Sequence, residues 1–201
     1  NIATVIINVT NVNDPPVLDA IDDIVEGDGF DEDETYIITA NAEDPDGDDI
    51  TYVCDPSDNI PCSVNGANIT LQPNPDWNGT ETITIRAEDT GGEEDTQDVV
   101  VTVNPVNDAP IIDAIGDVSF QEDDSAQIVV SATEVDAGDE LTYTCTEVGS
   151  IMCDVVGTTI TFSAPEDFVG AEQLTVIVSD LAGEEDDTTV NVEVIGVNDP
   201  P

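Results

Sequence analysis

Val12-Asn13-Asp14-Pro15-Pro16 returns as Val106-Asn107-Asp108-Ala109-Pro110 and again as Val197-Asn198-Asp199-Pro200-Pro201. The asparagines are 94 and 91 residues apart. Self-similarity of this kind marks a tandem array. Between the marks the two halves align. Phe30-Asp31-Glu32-Asp33-Glu34-Thr35 matches Phe120-Gln121-Glu122-Asp123-Asp124-Ser125. Ile50-Thr51-Tyr52-Val53-Cys54 matches Leu141-Thr142-Tyr143-Thr144-Cys145, and Pro75-Asp76-Trp77-Asn78-Gly79 matches Glu166-Asp167-Phe168-Val169-Gly170. Gly-Glu-Glu-Asp stands at 92–95 and at 183–186. The expected organisation is the last strand of a preceding repeat with its linker (1–13), two complete repeats (14–107 and 108–199) and the opening of a further one (200–201). Proline at each mark fixes φ and restricts its neighbour, so the linkers are short and stiff.

Within a repeat the apolar residues are mostly Val and Ile, and they alternate with polar ones. Examples are 4–9, 82–87, 99–103, 174–178 and 190–194. Period two over short β-branched runs reads as half-buried strands. In the first repeat the runs are 17–25, 36–43, 50–54, 61–65, 68–72, 81–88 and 98–104. Seven short strands in under 100 residues predict an all-β fold, a seven-stranded antiparallel sandwich per repeat. Asn65-Gly66 signals a hairpin.

Charge narrows the function. The chain has 201 residues with 47 Asp or Glu, one Arg (Arg86), no Lys and no His, giving a net charge of −46. Nucleic-acid binding needs Lys and Arg against phosphate, so it is excluded as a partner class. An anionic membrane surface is disfavoured, and no apolar run is long enough for membrane insertion. No leader peptide is read in this segment. The usual general bases and imine-forming amines are missing, and no nucleophile–base pair appears, so the expectation is that this is not an enzyme. A composition this acidic borders on the disordered class, and folding needs something that neutralises the acids.

Cys54 and Cys62 recur as Cys145 and Cys153 with the same spacing. Each pair flanks a loop between two expected strands. The even count and the absence of His favour a disulfide within each repeat over a zinc site or free thiols, and hence an extracellular or cell-surface location.

The acids gather at strand ends: 44–49, 32–34, 88–89 and the Asn-Asp linkers. Carboxylates brought together repel unless a cation intervenes. Hard oxygen donors of this kind are what Ca²⁺ takes in six- to eight-fold coordination. Four motifs stand out: an early Glu (Glu32, Glu122), an Asp-x-Asp after the second strand (44–46), an Ala-x-Asp ending the sixth (87–89), and Asn-Asp before proline in the linkers. In these the chain resembles cadherin repeats, and especially the cadherin-like tandem repeats of large bacterial and archaeal surface proteins. The resemblance implies Ig-like/cadherin-like sandwiches end to end, with Ca²⁺ as cofactor at each junction. It implies Glu32, Asp76, Asn107, Asp108, Glu134, Asp136 and Asp180 as ligands at the central junction. Glu134 aligns with Asp44 once Ala137 is taken as an insertion. The first junction would use Asn13, Asp14, Asp44, Asp46 and Asp89. The third would use Glu122, Asp167, Asn198 and Asp199. The linker's leading Asp of animal cadherins is missing here, and the residue after Asn-Asp is Pro or Ala, which implies one or two ions per junction.

A solvated surface is the alternative for these acids, and the favoured reading for the loop acids Glu93, Glu94, Asp95, Glu184, Glu185 and Asp186. Trp77, Phe168, Tyr52 and Tyr143 could line a sugar site, but core packing is preferred. Arg86 reads as a structural ion pair or a stray surface charge rather than a functional group. Asn8, Asn68 and Asn78 sit in glycosylation sequons, with Asn78 the best placed. The expected function is a structural segment of a long extracellular rod, fibre or adhesin, rigidified by calcium. Its partners would be adjacent repeats and identical chains in a filament. The alternative is a module that binds a glycan or another surface ligand.

Overall fold

The computed structural model describes residues 6–25, 27 and 29–198. It divides into two units, residues 1–106 and 107–201. In the first unit the strands are β1 (Val17–Leu18), β2 (Phe30–Asp31), β3 (Tyr36–Thr39), β4 (Ala42–Glu43), β5 (Thr51–Asp55), β6 (Cys62–Asn65), β7 (Asn68–Leu71), β8 (Gly79–Glu88) and β9 (Glu94–Asn104). In the second unit they are β10 (Ile111–Ile112), β11 (Val118–Gln121), β12 (Ser125–Val129), β13 (Ala132–Thr133), β14 (Thr142–Thr146), β15 (Met152–Val156), β16 (Thr159–Ser163), β17 (Gly170–Ser179) and β18 (Glu185–Ile195).

Each unit is a β-sandwich of the same design. A four-stranded sheet, β2-β9-β8-β5 or β11-β18-β17-β14, faces a three-stranded one, β3-β7-β6 or β12-β16-β15. Period-two alternation is visible in the core. Ile83, Ile85 and Ala87 of β8 point inward with Val99, Val101 and Val103 of β9, and meet Ile69 and Leu71 of β7. Leu174, Val176, Val178, Val190, Val192 and Val194 do the same against Ile160 and Phe162. Each such side chain contributes roughly 1.5–3 kcal/mol on burial. Trp77, Tyr52, Phe168 and Tyr143 are partly buried and pack on these cores, as the packing reading had it.

The strands depart from the expected runs in four places. The run 17–25 is not one strand. Val17–Leu18 pairs with β4, the acidic stretch Asp22-Asp23 interrupts, and Ile24 then bridges Val101 of the other sheet. Asp23 accepts a hydrogen bond from Val100 N at 2.8 Å, which anchors the crossing. The same crossing makes β2 run parallel to β9, and β11 parallel to β18, in an otherwise antiparallel fold. The run 36–43 divides at buried Ala40 because β3 and β4 belong to different sheets. The hairpin turn is Gly66-Ala67 rather than Asn65-Gly66: Asn65 pairs with Asn68, and Gly66 takes the left-handed φ of 61°. Finally, residues 6–9, expected as the end of a strand, form none, because no described strand of this chain pairs with them. Residues 1–5, which include the start of that expected strand, Asp199 and residues 200–201 lie outside the described residues.

Both disulfides form, Cys54–Cys62 and Cys145–Cys153. Each links an edge strand of the four-stranded sheet to an edge strand of the three-stranded one, so it closes one edge of the sandwich. Beside each bridge a carboxylate holds the connecting loop. Glu81 accepts from Asn59 N and Nδ2, at 3.1 and 2.7 Å, and Glu172 accepts from Ser150 N and Ile151 N, at 2.8 and 3.0 Å. The loops carry Ile60 and Ile151, which are fully buried. Closing so short a loop contributes about 2.5 kcal/mol in the chain-entropy model. Reducing both bridges should therefore lower the melting temperature of the two units by roughly 10 °C, read by calorimetry with and without reductant. An unchanged melting curve after verified reduction would show that the sandwich edges close without them.

Candidate cation sites at the ends of each repeat

Four acidic side chains are buried among the described residues: Glu32, Asp89, Glu122 and Asp180. All four come from the sequence-expected ligand set. Asp89 and Asp180 lie where the chain enters each unit (the head), and Glu32 and Glu122 where it leaves (the tail). Head and tail of the first unit are opposite ends of β9: Asp89 N donates to Glu93 O, and Glu32 N donates to Asn104 O. An eleven-residue strand separates them by about 35 Å.

The head is built the same way in both units. Asp89 follows β8, and its Oδ1 accepts from Glu93 N at 2.9 Å. Asn13 of the linker donates its side-chain amide to Asp89 Oδ2 at 2.8 Å. Asp14 N donates to Asp46 Oδ2 at 2.8 Å, and Asp44 Oδ1 accepts from Asp46 N and Asp48 N at 2.8 and 3.0 Å. Asn11 also donates to Asp46. In the second unit Asn107 donates to Asp180 Oδ2 at 2.7 Å, and Asp180 Oδ1 accepts from Gly183 N and Glu184 N at 2.6 and 2.8 Å. Asp108 N donates to Asp136 Oδ2 at 2.8 Å, and Glu134 Oε1 accepts from Val135 N and Asp136 N at 2.7 and 2.9 Å. The head thus gathers Asn13, Asp14, Asp44, Asp46 and Asp89 in one unit, and Asn107, Asp108, Glu134, Asp136 and Asp180 in the other.

Asp139 joins the second head, though sequence reading left it out. Ligand oxygens of Glu134, Asp139 and Asp180 lie within 4.8 Å of one another. The readable signal was Gly47-Asp48 and Gly138-Asp139, which follow each acidic pair at matched places.

At the tail, Glu32 Oε1 accepts from Val106 N at 2.7 Å and Oε2 from Asn78 Nδ2 at 3.1 Å. Glu122 Oε1 accepts from Val197 N at 2.5 Å. The amide nitrogen of Asn78, a candidate glycan acceptor, is thus engaged by Glu32. Asn8 and Asn68 are exposed, and Asn68 accepts from Thr39 Oγ1 at 3.0 Å. Asp76 and Asp167 sit on exposed turns with φ of 57° and 62°. Asp167 lines a shallow acidic depression with Asp123, Asp124 and Glu166. Asn198 is exposed.

Two of the loop acids are not solvated as expected. Asp95 accepts from Leu18 N and Asp186 from Ile112 N, both at 2.9 Å, so each ties the first strand of its unit to the long last strand. Glu93, Glu94, Glu184 and Glu185 are exposed. Arg86 lies 3.1–3.2 Å from Asp55, Glu88 and Glu94 on an exposed sheet face, the structural ion pair expected of it.

The electrostatics of the heads are uneven. Hydrogen bonding by Asn107, with the backbone N–H groups of Ala182, Gly183 and Glu184, outweighs burial and holds Asp180 below the usual carboxylate range. At Asp89 burial pushes upward, but Asn13 and the turn N–H groups win and the pKa is lowered. Asp139 is pushed up by burial and by the charges of Asp180, Glu134 and Asp136. Glu134 Oε2 and Asp44 Oδ2, at matched positions, are buried without a hydrogen-bond partner among the described residues. A buried anionic oxygen left unpaired is costly. Oxygen-only donors, mutual repulsion and an unpaired buried oxygen at the same place in both units suit a hard divalent cation such as Ca²⁺.

The sequence matches the bacterial Ig domain family over residues 13–102 and again over 107–193, and the chain belongs to that family as two tandem members. No curated protein matches it in sequence. Among solved structures it is similar to human protocadherin-24 EC1-2, with a TM-score of 0.53 and 16% identity over 93% of this chain and 100% of that one. It is also similar to mouse cadherin-23 EC22-24, with a TM-score of 0.56 and 22% identity over 91% of this chain. The chain spans 65% of that cadherin-23 fragment. These likenesses establish a cadherin-like and Ig-like tandem fold.

The raised pKa of Asp139 has a definite sign. The folded state holds this proton more tightly than the unfolded chain, so ionising Asp139 destabilises the fold above its folded pKa, and the penalty disappears at lower pH. Asp139→Asn should therefore raise the melting temperature of the chelated protein at pH 7. The gain should vanish as pH falls through the carboxylate range. In calcium the same variant should bind the ion at least about tenfold more weakly. Calorimetric melting and titration would check both halves, and a variant that melts lower in chelator would contradict this account of the head.

Proposed function

We propose that this pair of bacterial Ig domains is a structural segment of an extracellular rod, fibre or surface adhesin, in which Ca²⁺ bound at the linker-proximal head of each repeat makes the array rigid. The observation that carries the reading is the recurrence, in both units, of a linker Asn-Asp tied to buried or half-buried carboxylates, beside a further acid (Asp44 or Glu134) that keeps an unpaired buried oxygen. Ca²⁺ would be held by Asp44, Asp46, Asp89, Asn13 and Asp14 in the first unit. In the second unit Glu134, Asp136, Asp139, Asp180, Asn107 and Asp108 would hold it. A bound dication supplies the positive charge that a chain with one arginine lacks. Glu32 and Glu122, which hold the backbone of residues 106 and 197, are assigned to the departing linkers, with Asp76, Asp167 and Asn198 as outer donors.

Residues 1–13 are assigned to the end of a preceding repeat and residues 200–201 to the start of the next. An extracellular place is supported by two disulfides and by the cadherin-like fold. No described helix is long and apolar enough to cross a membrane. The function is mechanical and adhesive rather than catalytic. The alternative, glycan binding, loses its best candidates, because the aromatic side chains that could have stacked on a sugar pack on the cores instead.

Binding to the folded state alone stabilises it by mass action, about 2.7 kcal/mol at a free ion concentration 100 times Kd. Titrating the chelated protein with Ca²⁺ should give saturable binding and a rise in melting temperature that Mg²⁺ and NaCl do not match. Small-angle scattering should show a longer, stiffer particle in calcium than in chelator. Equal stabilisation by plain salt, or a maximum dimension unchanged by chelator, would refute the reading.

A further inference from the structure

We infer that the linker asparagines Asn13 and Asn107 act as positioning residues: each amide group is a donor that latches the incoming linker onto the buried head aspartate and orients that carboxylate. The inference deepens the calcium reading above and rests on it for its metal-binding half, but not for its metal-free half.

The geometry is the same twice. Asn13 Nδ2 donates to Asp89 Oδ2 at 2.8 Å, and Asn107 Nδ2 donates to Asp180 Oδ2 at 2.7 Å. Both aspartates are more than nine-tenths buried. Their other oxygen is already taken by turn N–H groups, of Glu93 in one unit and of Gly183 and Glu184 in the other. An ionised carboxylate only accepts, so the amide nitrogen and not the carbonyl must face it. With the nitrogen committed, the carbonyl Oδ1 is the one side-chain atom that Asn13 or Asn107 has left for a cation. The neighbouring residue completes the latch, since Asp14 N and Asp108 N donate to Asp46 and Asp136. Two consecutive linker residues are therefore tied to two different acids of the same unit, through one side chain and one backbone group.

This separates Asn from Asp at the position. If the residue served only as a ligand, Asp would be the better choice, because each added carboxylate strengthens attraction for a hard dication. If it is a donor, Asp removes the hydrogen and sets two carboxylates against each other in a buried place.

The test uses the two-unit chain. Trp77 is its single tryptophan and lies in the first unit, so its fluorescence follows the melting of that unit. Three variants are compared: Asn13→Asp, Asp89→Asn and the exchange Asn13→Asp/Asp89→Asn. The exchange keeps the net charge and the atom count of the pair and restores a hydrogen bond with donor and acceptor reversed. The side chain introduced by Asp89→Asn would still offer a carbonyl oxygen to the turn. In chelator, N13D should melt well below the parent, and the exchange should recover most of the loss. In calcium, N13D should bind the first-unit ion roughly 10- to 100-fold more weakly, and the exchange should return to within a few-fold of the parent. N13D binding calcium more tightly than the parent, or melting like the parent in chelator, would overturn the inference. So would an exchange no better than N13D. If the parent itself binds no calcium, the calcium reading fails, and the latch is then decided by the chelator melts alone. Asn107→Asp and its exchange with Asp180→Asn repeat the test in the second unit by calorimetry, should N13D fail to fold.

Discussion

The constraint on which the rest of this structure depends is carboxylate charge without a matching cation. One guanidinium faces 47 acids. The structure answers with backbone N–H groups. Asp23, Asp44, Asp46, Asp89, Asp95 and Glu32 in the first unit each accept from a main-chain amide, and Glu134, Asp136, Asp180, Asp186 and Glu122 do so in the second. Many of these donors belong to turns, crossings and linkers, where the sheet ladders leave N–H groups unused. Acids that would otherwise only repel one another become the ties that hold irregular backbone to the sandwich.

That arrangement explains why buried acids and the linkers coincide. The ladder of β9 runs the length of the first unit, and beyond each of its ends the chain has amides that the ladder does not use. Asp89 takes up one set and Glu32 the other. The same holds for β18 with Asp180 and Glu122. Hydrogen bonds do not neutralise charge, however. Where Asp139 meets Asp180, Glu134 and Asp136, burial and repulsion prevail and its carboxyl is pushed upward. The head is therefore where a dication gains most.

The cores are conventional by comparison. Val and Ile alternate on two long central strands per unit, and a disulfide closes one sandwich edge. Much of this was legible in the sequence. TITIRA at 82–87 and VVVTV at 99–103 read as half-buried strands, and the matched Cys pairs as local bridges. The run 17–25 was harder. Its residues are apolar enough for one strand, but their partners change from β4 to β9 midway, and local pattern carries no information about partners. The parallel placement of β2 was illegible for the same reason. The one-residue shift of the 65–68 hairpin came from register: buried Ile69 fixes which way β7 faces, and the turn follows from that.

What the sequence by itself determined is whatever repeats or alternates: two tandem all-β units, the bridging cysteines, and acids recurring at matched places by the linkers. These are consequences of local chemistry and period, readable one residue at a time. What only the tertiary structure decided is which acids meet. Asp139 entered the head because the turn after Gly138 folds it back beside Asp180, 41 positions along the chain. Asp95 and Asp186 left the solvated set because the first strand passes over them and offers an amide. Asn78, a candidate acceptor of glycan by its sequon, is also a partner of Glu32. In each case the deciding quantity is a distance between residues far apart in sequence, set by sheet register and by where the chain crosses between sheets.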